Sequence, residues 1–195
     1  MAQPKILVFS GSLRADSFNQ RLAVAASKGS EAAGAHVTVI RLKDFALPVF
    51  DEDEEATHGL PENCLKLKAL FKAHHGFIIG CPEYNSMITA ALKNAVDWVS
   101  RPAEGEGPLE CFDRKVIGLV AASPGGLGGI RGLPIHRMLF GHIKSIVLPD
   151  QYSLAVAHEA FDDAGNLKDE KQRGMAEGVG GAVAEVAAAV GRVTA

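Results

Sequence analysis

Apolar and polar positions follow two rhythms along this chain. Three short unbroken apolar runs, Lys5-Ile-Leu-Val-Phe9, Gly76-Phe-Ile-Ile-Gly80 and Lys115-Val-Ile-Gly-Leu-Val-Ala-Ala122, have no polar face and read as strands covered on both sides. His36 to Leu42, carrying Val37, Val39 and Ile40, reads as another strand, and Ser145 to Leu148 closes the series. The intervening stretches have helical spacing. Ser17 caps a helix reaching about Ala33 and stopped by Gly34. Pro61 opens a second, on which Cys64, Leu67, Phe71 and His74 share one face. A third, from Thr89 to Ser100, buries Leu92, Ala95, Val96 and Val99 and ends before Pro102. Leu133 to His142 and Lys168 to Val193 give two more, the last with Val179, Val183, Val186 and Val190 facing inward. The acidic stretch up to Gly59 is predicted to be irregular.

Strands alternating with helices imply an α/β fold with a parallel sheet and helices on both faces. Five strands favour a flavodoxin-like three-layer sandwich of strand order 2-1-3-4-5, which binds its ligand at the carboxyl ends of the strands near the switch point. No internal repeat or linker interrupts the pattern, so residues 1–195 are predicted to form one domain.

Charge and composition then narrow the function. A net charge of −3 offers no footprint for nucleic acid or an anionic membrane. No apolar run approaches the ~20 residues of a membrane helix, and the opening residues lack a signal-peptide pattern. Cys64, Cys81 and Cys111 are odd in number and form no CxxC pair, which predicts neither a disulfide frame nor a zinc site and fits a cytoplasmic setting. Asp51 to Glu55 reads as a solvated acidic loop rather than a metal site. His74-His75 ends a helix, where cationic side chains favour the dipole. Many of the 21 glycines cluster in loops, where backbone can approach a ligand.

The fold brings the loops after strands one, three and four to one crevice, and these are the chemically unusual segments. The first, residues 10–19, sets Ser12, Ser17 and Asn19 as neutral donors and Arg14 as a forked cation beside a helix N-terminus, an anion site suited to a phosphate monoester. Neither GxxxxGK[ST] nor GxGxxG is present. The alternative is a polar capped turn with an exposed Arg. The second, Cys81-Pro-Glu-Tyr-Asn-Ser86, offers backbone groups to a flat heterocycle, with Tyr84 flanking its face; otherwise it is a turn opening the next helix. The third, Ser123-Pro-Gly-Gly-Leu-Gly-Gly129, either lets backbone approach a ligand or is simply flexible.

Gly11-Ser-Leu-Arg-x-x-Ser-Phe-Asn19, with Pro82-Glu-Tyr-Asn85, Leu92-Lys-Asn-Ala-Val-Asp-Trp98 and Ser100-Arg-Pro102, resembles the NADPH-dependent FMN reductase family, most closely its bacterial quinone, chromate and azo-dye reductases. The resemblance covers about residues 4 to 150. It implies FMN with its phosphate on Ser12, Leu13, Arg14, Ser17, Phe18 and Asn19. The isoalloxazine edge would lie on Pro82, Glu83, Tyr84, Asn85 and Ser86, with Ser123, Gly125 and Gly126 closing the other side. It also implies a ping-pong oxidoreductase using NADPH or NADH, with a quinone, free flavin, azo dye or metal oxyanion as acceptor. No catalytic side chain and no metal ligand is implied, because the cofactor carries the chemistry. The implied assembly is a homodimer or homotetramer, with Trp98 on a helix near the subunit interface. One departure stands out: Met87 occupies the family's usual Ser position, and Thr89-Ala90 replaces Pro-Gly. The alternative reading is a flavodoxin-type electron carrier that does not react with NAD(P)H.

Overall fold

Buried apolar runs with β-branched residues favour strands packed on both faces, and the computed structural model, which describes residues 3–193, has five of them in one parallel sheet. In chain order the elements are β1 (Lys5–Ser10), α1 (Phe18–Ala32), β2 (His36–Val39), α2 (Glu52–His58), α3 (Glu62–Ala73) and β3 (Gly76–Gly80). They continue with β4 (Glu83–Tyr84), β5 (Met87–Ile88), α4 (Ala90–Ser100), β6 (Val116–Ala122) and α5 (Leu133–His142). The last three are β7 (Ile146–Leu154), α6 (Ala157–Ala160) and α7 (Glu170–Val193). The sheet runs β2-β1-β3-β6-β7, while β4 and β5 form a separate antiparallel hairpin. Numbering only the sheet strands, this is the predicted 2-1-3-4-5 flavodoxin-like order.

The two-residue period of a strand splits the core in two. Ile6, Val8, Ile78, Val116 and Val120 point to the face covered by α1 and α7. Leu7, Phe9, Phe77, Ile79, Ile117 and Leu119 point to the face covered by α3, α4 and α5. Phe9, Phe71, Phe77 and Phe112 interlock on the second face, with ring centroids 4.7 Å apart for Phe71–Phe77 and 5.5 Å for Phe71–Phe112. On the first face α1 and α7 touch through glycine. A Cβ on Gly29 would sit 1.8 Å from the Glu177 carbonyl oxygen, and one on Gly180 would sit 1.9 Å from that of Ala26. Ser30 Oγ fixes the contact by donating to the Gly180 carbonyl at 2.6 Å.

Four expectations change. The acidic stretch is a helix: Asp51 Oδ1 accepts from Asp53 N–H, four carboxylates sit in its first turn, and Glu55 pairs with Arg101 at 2.7 Å. Strand β7 continues past Leu148 to Leu154. Its register shifts opposite Gly118, where Pro149 has no N–H to give the ladder. Residues 83–88 form a hairpin rather than an open turn. His74 and His75 are held neutral rather than cationic, because burial lowers both pKa values. The expected helix faces hold, with Cys64, Leu67, Phe71 and His74 all buried. The same helix also buries Lys68, whose ammonium meets Glu106 at 2.7 Å and the Val99 and Arg101 carbonyls at 3.1 and 2.6 Å. Trp98 is buried and donates its Nε1–H to the Pro48 carbonyl at 2.9 Å.

Candidate functional site

A parallel sheet delivers the loops after β1, β3 and β6 to the same edge, and cross-loop hydrogen bonds join them there in pairs. Thr89 Oγ1, after β5, donates to the Gly11 carbonyl after β1 at 2.7 Å. Asn19 Nδ2 donates to the Ala122 carbonyl at 2.8 Å, and its Oδ1 accepts from Ala122 N–H at 2.9 Å, joining α1 to the end of β6. Glu83 Oε2 accepts from Gly132 N–H at 2.6 Å, joining the hairpin to the start of α5. Each pair of loops is thus tied by protein alone.

The first loop carries donors that could hold an anion. Ser17 caps α1, its Oγ accepting from Gln20 N–H at 3.3 Å, and Ser12 Oγ accepts from Arg14 N–H at 3.2 Å. Both hydroxyls keep a hydrogen to donate. The first N–H groups of α1 have no intrahelical acceptor. Arg14 is exposed, and its guanidinium makes no ion pair or hydrogen bond among the described residues. Sequence reading missed Arg41, whose Nη2 donates to the Arg14 and Ala15 carbonyls at 3.1 and 2.6 Å and props the loop from below. The sequence offers no local signal for it, since Arg41 lies beyond β2.

Two predicted residues do less than expected. The Asn19 amide is spent at both ends on Ala122, so only its backbone faces the loop. The Phe18 ring packs onto the core under α1, leaving likewise only its backbone.

In the second loop Pro82 is buried and Asn85 and Ser86 take φ of 55° and 63°, the left-handed pair of a two-residue hairpin turn. Glu83's carboxylate points to Gly132 and leaves backbone at the rim. Thr89 supplies what the replaced family residues leave open, capping α4 by accepting from Leu92 N–H at 3.3 Å while holding Gly11. In the third loop Gly128 and Gly129 need glycine, with φ of 61° and 83°. Gly125 and Gly126 are different: both are exposed, neither has positive φ, and a Cβ on Gly126 would meet no protein atom within 4 Å. The Gly125 carbonyl is fixed by Gly128 N–H and Val156 N–H, both at 3.3 Å, and Ser123 by Leu154 at 3.1 Å.

Around these polar groups, apolar side chains stay in water. Leu13 is 52% exposed, Tyr84 62%, Met87 54% and Leu127 50%, so every loop contributes at least one. Free donors beside bare apolar side chains could hold a flat apolar ligand with an anionic end. A separate cleft of about 560 Å³, lined by Phe45, Val49, Phe50, Ala91 and Asn94, shares only Leu13 with the predicted site residues.

Residues 4–159 match the family model of NADPH-dependent FMN reductases. The chain is 32% identical over 172 residues to an NAD(P)H-dependent FMN reductase of Pseudomonas aeruginosa, covering 87% of each chain. It is 30% identical over 167 residues to a quinone reductase of Pseudomonas putida, covering 85% of each. Among solved structures, the flavoenzyme NAD(P)H:(acceptor) oxidoreductase of Paracoccus denitrificans superposes with a TM-score of 0.77 at 25% identity, over 95% of this chain and 98% of that one.

Proposed function

The chain belongs to the NADPH-dependent FMN reductase family, and from that premise we propose an FMN-dependent NAD(P)H oxidoreductase that reduces a small acceptor, a quinone first among them. One observation carries this: a free guanidinium and an open helix N-terminus share a rim with four exposed apolar side chains. A phosphate monoester attached to a flat heterocycle matches both halves, and FMN is such a molecule.

In this reading the Ser12 and Ser17 hydroxyls, the Arg14 guanidinium and the backbone of Leu13, Phe18 and Asn19 hold the phosphate. The peptides of Pro82, Glu83, Tyr84, Asn85 and Ser86 line the ring edge, and Ser123, Gly125 and Gly126 close the far side. The open space over Gly126 is the room a ligand needs there. Bound FMN supplies the redox chemistry, accepting a hydride from NADPH or NADH and delivering electrons to the acceptor. The protein holds and orients; no side chain is assigned an acid or base role. Donor and acceptor use one rim in turn, so the kinetics are ping-pong. Among the described residues no helix is long and apolar enough to cross a membrane. The three free, buried thiols suit a cytoplasmic setting. The working unit of this reading is one domain per FMN, assembled as a homodimer or homotetramer.

The test is anaerobic mixing of FMN-loaded protein with NADPH. Rapid bleaching of the visible flavin band is expected, followed by return of colour on adding a quinone. A band that persists identifies a flavodoxin-type carrier instead, and a chain that takes up no FMN removes the site.

A further inference from the structure

We infer that Glu83 is a positioning residue: its carboxylate, by holding Gly132, sets the distance between the hairpin wall and the glycine-loop wall and so governs flavin affinity. This rests on the flavin site proposed above. The carboxylate oxygen lies 2.6 Å from Gly132 N, short for an N–H donor. It links elements 49 residues apart.

Gly132 is gripped from its other side as well. His136 Nδ1 lies 2.7 Å from the Gly132 carbonyl oxygen, which can only accept, so the ring carries its proton on Nδ1. That choice leaves Nε2 bare, and Nε2 is buried with no partner. A buried acceptor without a hydrogen bond is costly and uncommon. The fold tolerates it where the ring's one donor is committed to Gly132. The residue itself is fitted to the clamp: a Cβ on Gly132 would approach the Glu83 Cβ to 3.1 Å and its Oε2 to 3.2 Å. Glu83, Gly132 and His136 therefore form one fastening between the loop after β3 and the helix after β6. The phosphate cradle lies outside it.

That separation supplies the test, a fluorescence titration of the full chain with FMN and with riboflavin, which lacks the phosphate. Glu83→Ala is expected to weaken both ligands by one common factor of about tenfold, whereas Glu83→Gln, whose amide oxygen still accepts from Gly132, stays within about threefold of the parent. Should Glu83→Ala not fold, Gly132→Ala replaces it, and the same parallel loss is expected because its Cβ crowds Glu83. Unchanged affinities in the variant, a loss confined to FMN, or equal losses for the Gln and Ala substitutions would each overturn the proposal and leave the flavin site standing. A parent chain that binds neither ligand overturns the site itself.

Discussion

Arg14 and Asn19 look alike in the sequence, two polar residues in one loop, and the structure separates them. Arg14 is exposed and uncommitted, so removing it exposes no buried partner and the loss falls on the ligand. Arg14→Ala should weaken FMN binding by about 1.5–3 kcal/mol, the scale of a hydrogen bond to a charged group. Fluorescence titration measures this, with far-ultraviolet dichroism unchanged; unaltered affinity would take Arg14 out of the site. The Asn19 side chain belongs to the scaffold instead. Its partner Ala122 is 103 residues away, and no local pattern signals so distant a bond. The same holds for Thr89, 78 residues from Gly11. Residue types and loop positions were legible in the sequence, but which atoms remain free for a ligand was not.

Elements with an internal period were the legible ones. The runs of β1, β3 and β6 and the faces of α3 and α4 carry their periodicity in the sequence, and each appears where expected. Those that were missed lack it. Helix α2 buries no side chain and is held by its Asp51 cap and first-turn carboxylates. The hairpin of β4 and β5 turns through Asn85-Ser86, without the glycine that usually marks such a turn. The most demanding packing in the molecule is also silent in periodicity, because glycine registers as neither polar nor apolar. Between α1 and α7 the backbones meet with no room for a methyl group at Gly29 or Gly180. Gly180→Ala should therefore destabilise the fold by about 2–3 kcal/mol despite alanine's better helix propensity. Urea unfolding would register it as a lower midpoint with the slope unchanged, and a neutral or stabilising effect would mean that the helices can move apart freely.

For the molecule as a whole, acid is the vulnerable side. His74 and His136 are both buried, and burial lowers both pKa values from the ordinary 6.5. Between those depressed values and about 6.5 the unfolded chain binds more protons than the folded one. Stability is therefore complete above that window and declines as pH falls through it. Each ring can contribute up to about 1.4 kcal/mol per pH unit within the window. Urea midpoints should drop between about pH 7.5 and about pH 5.5, and a midpoint that holds or rises on acidification would contradict the neutral, buried state of these rings. The three loops tied pairwise have their own consequence at this scale. Three bars pinned at their corners cannot shear, so the frame around the crevice stands finished before any guest arrives. Little chain entropy is then forfeited on entry.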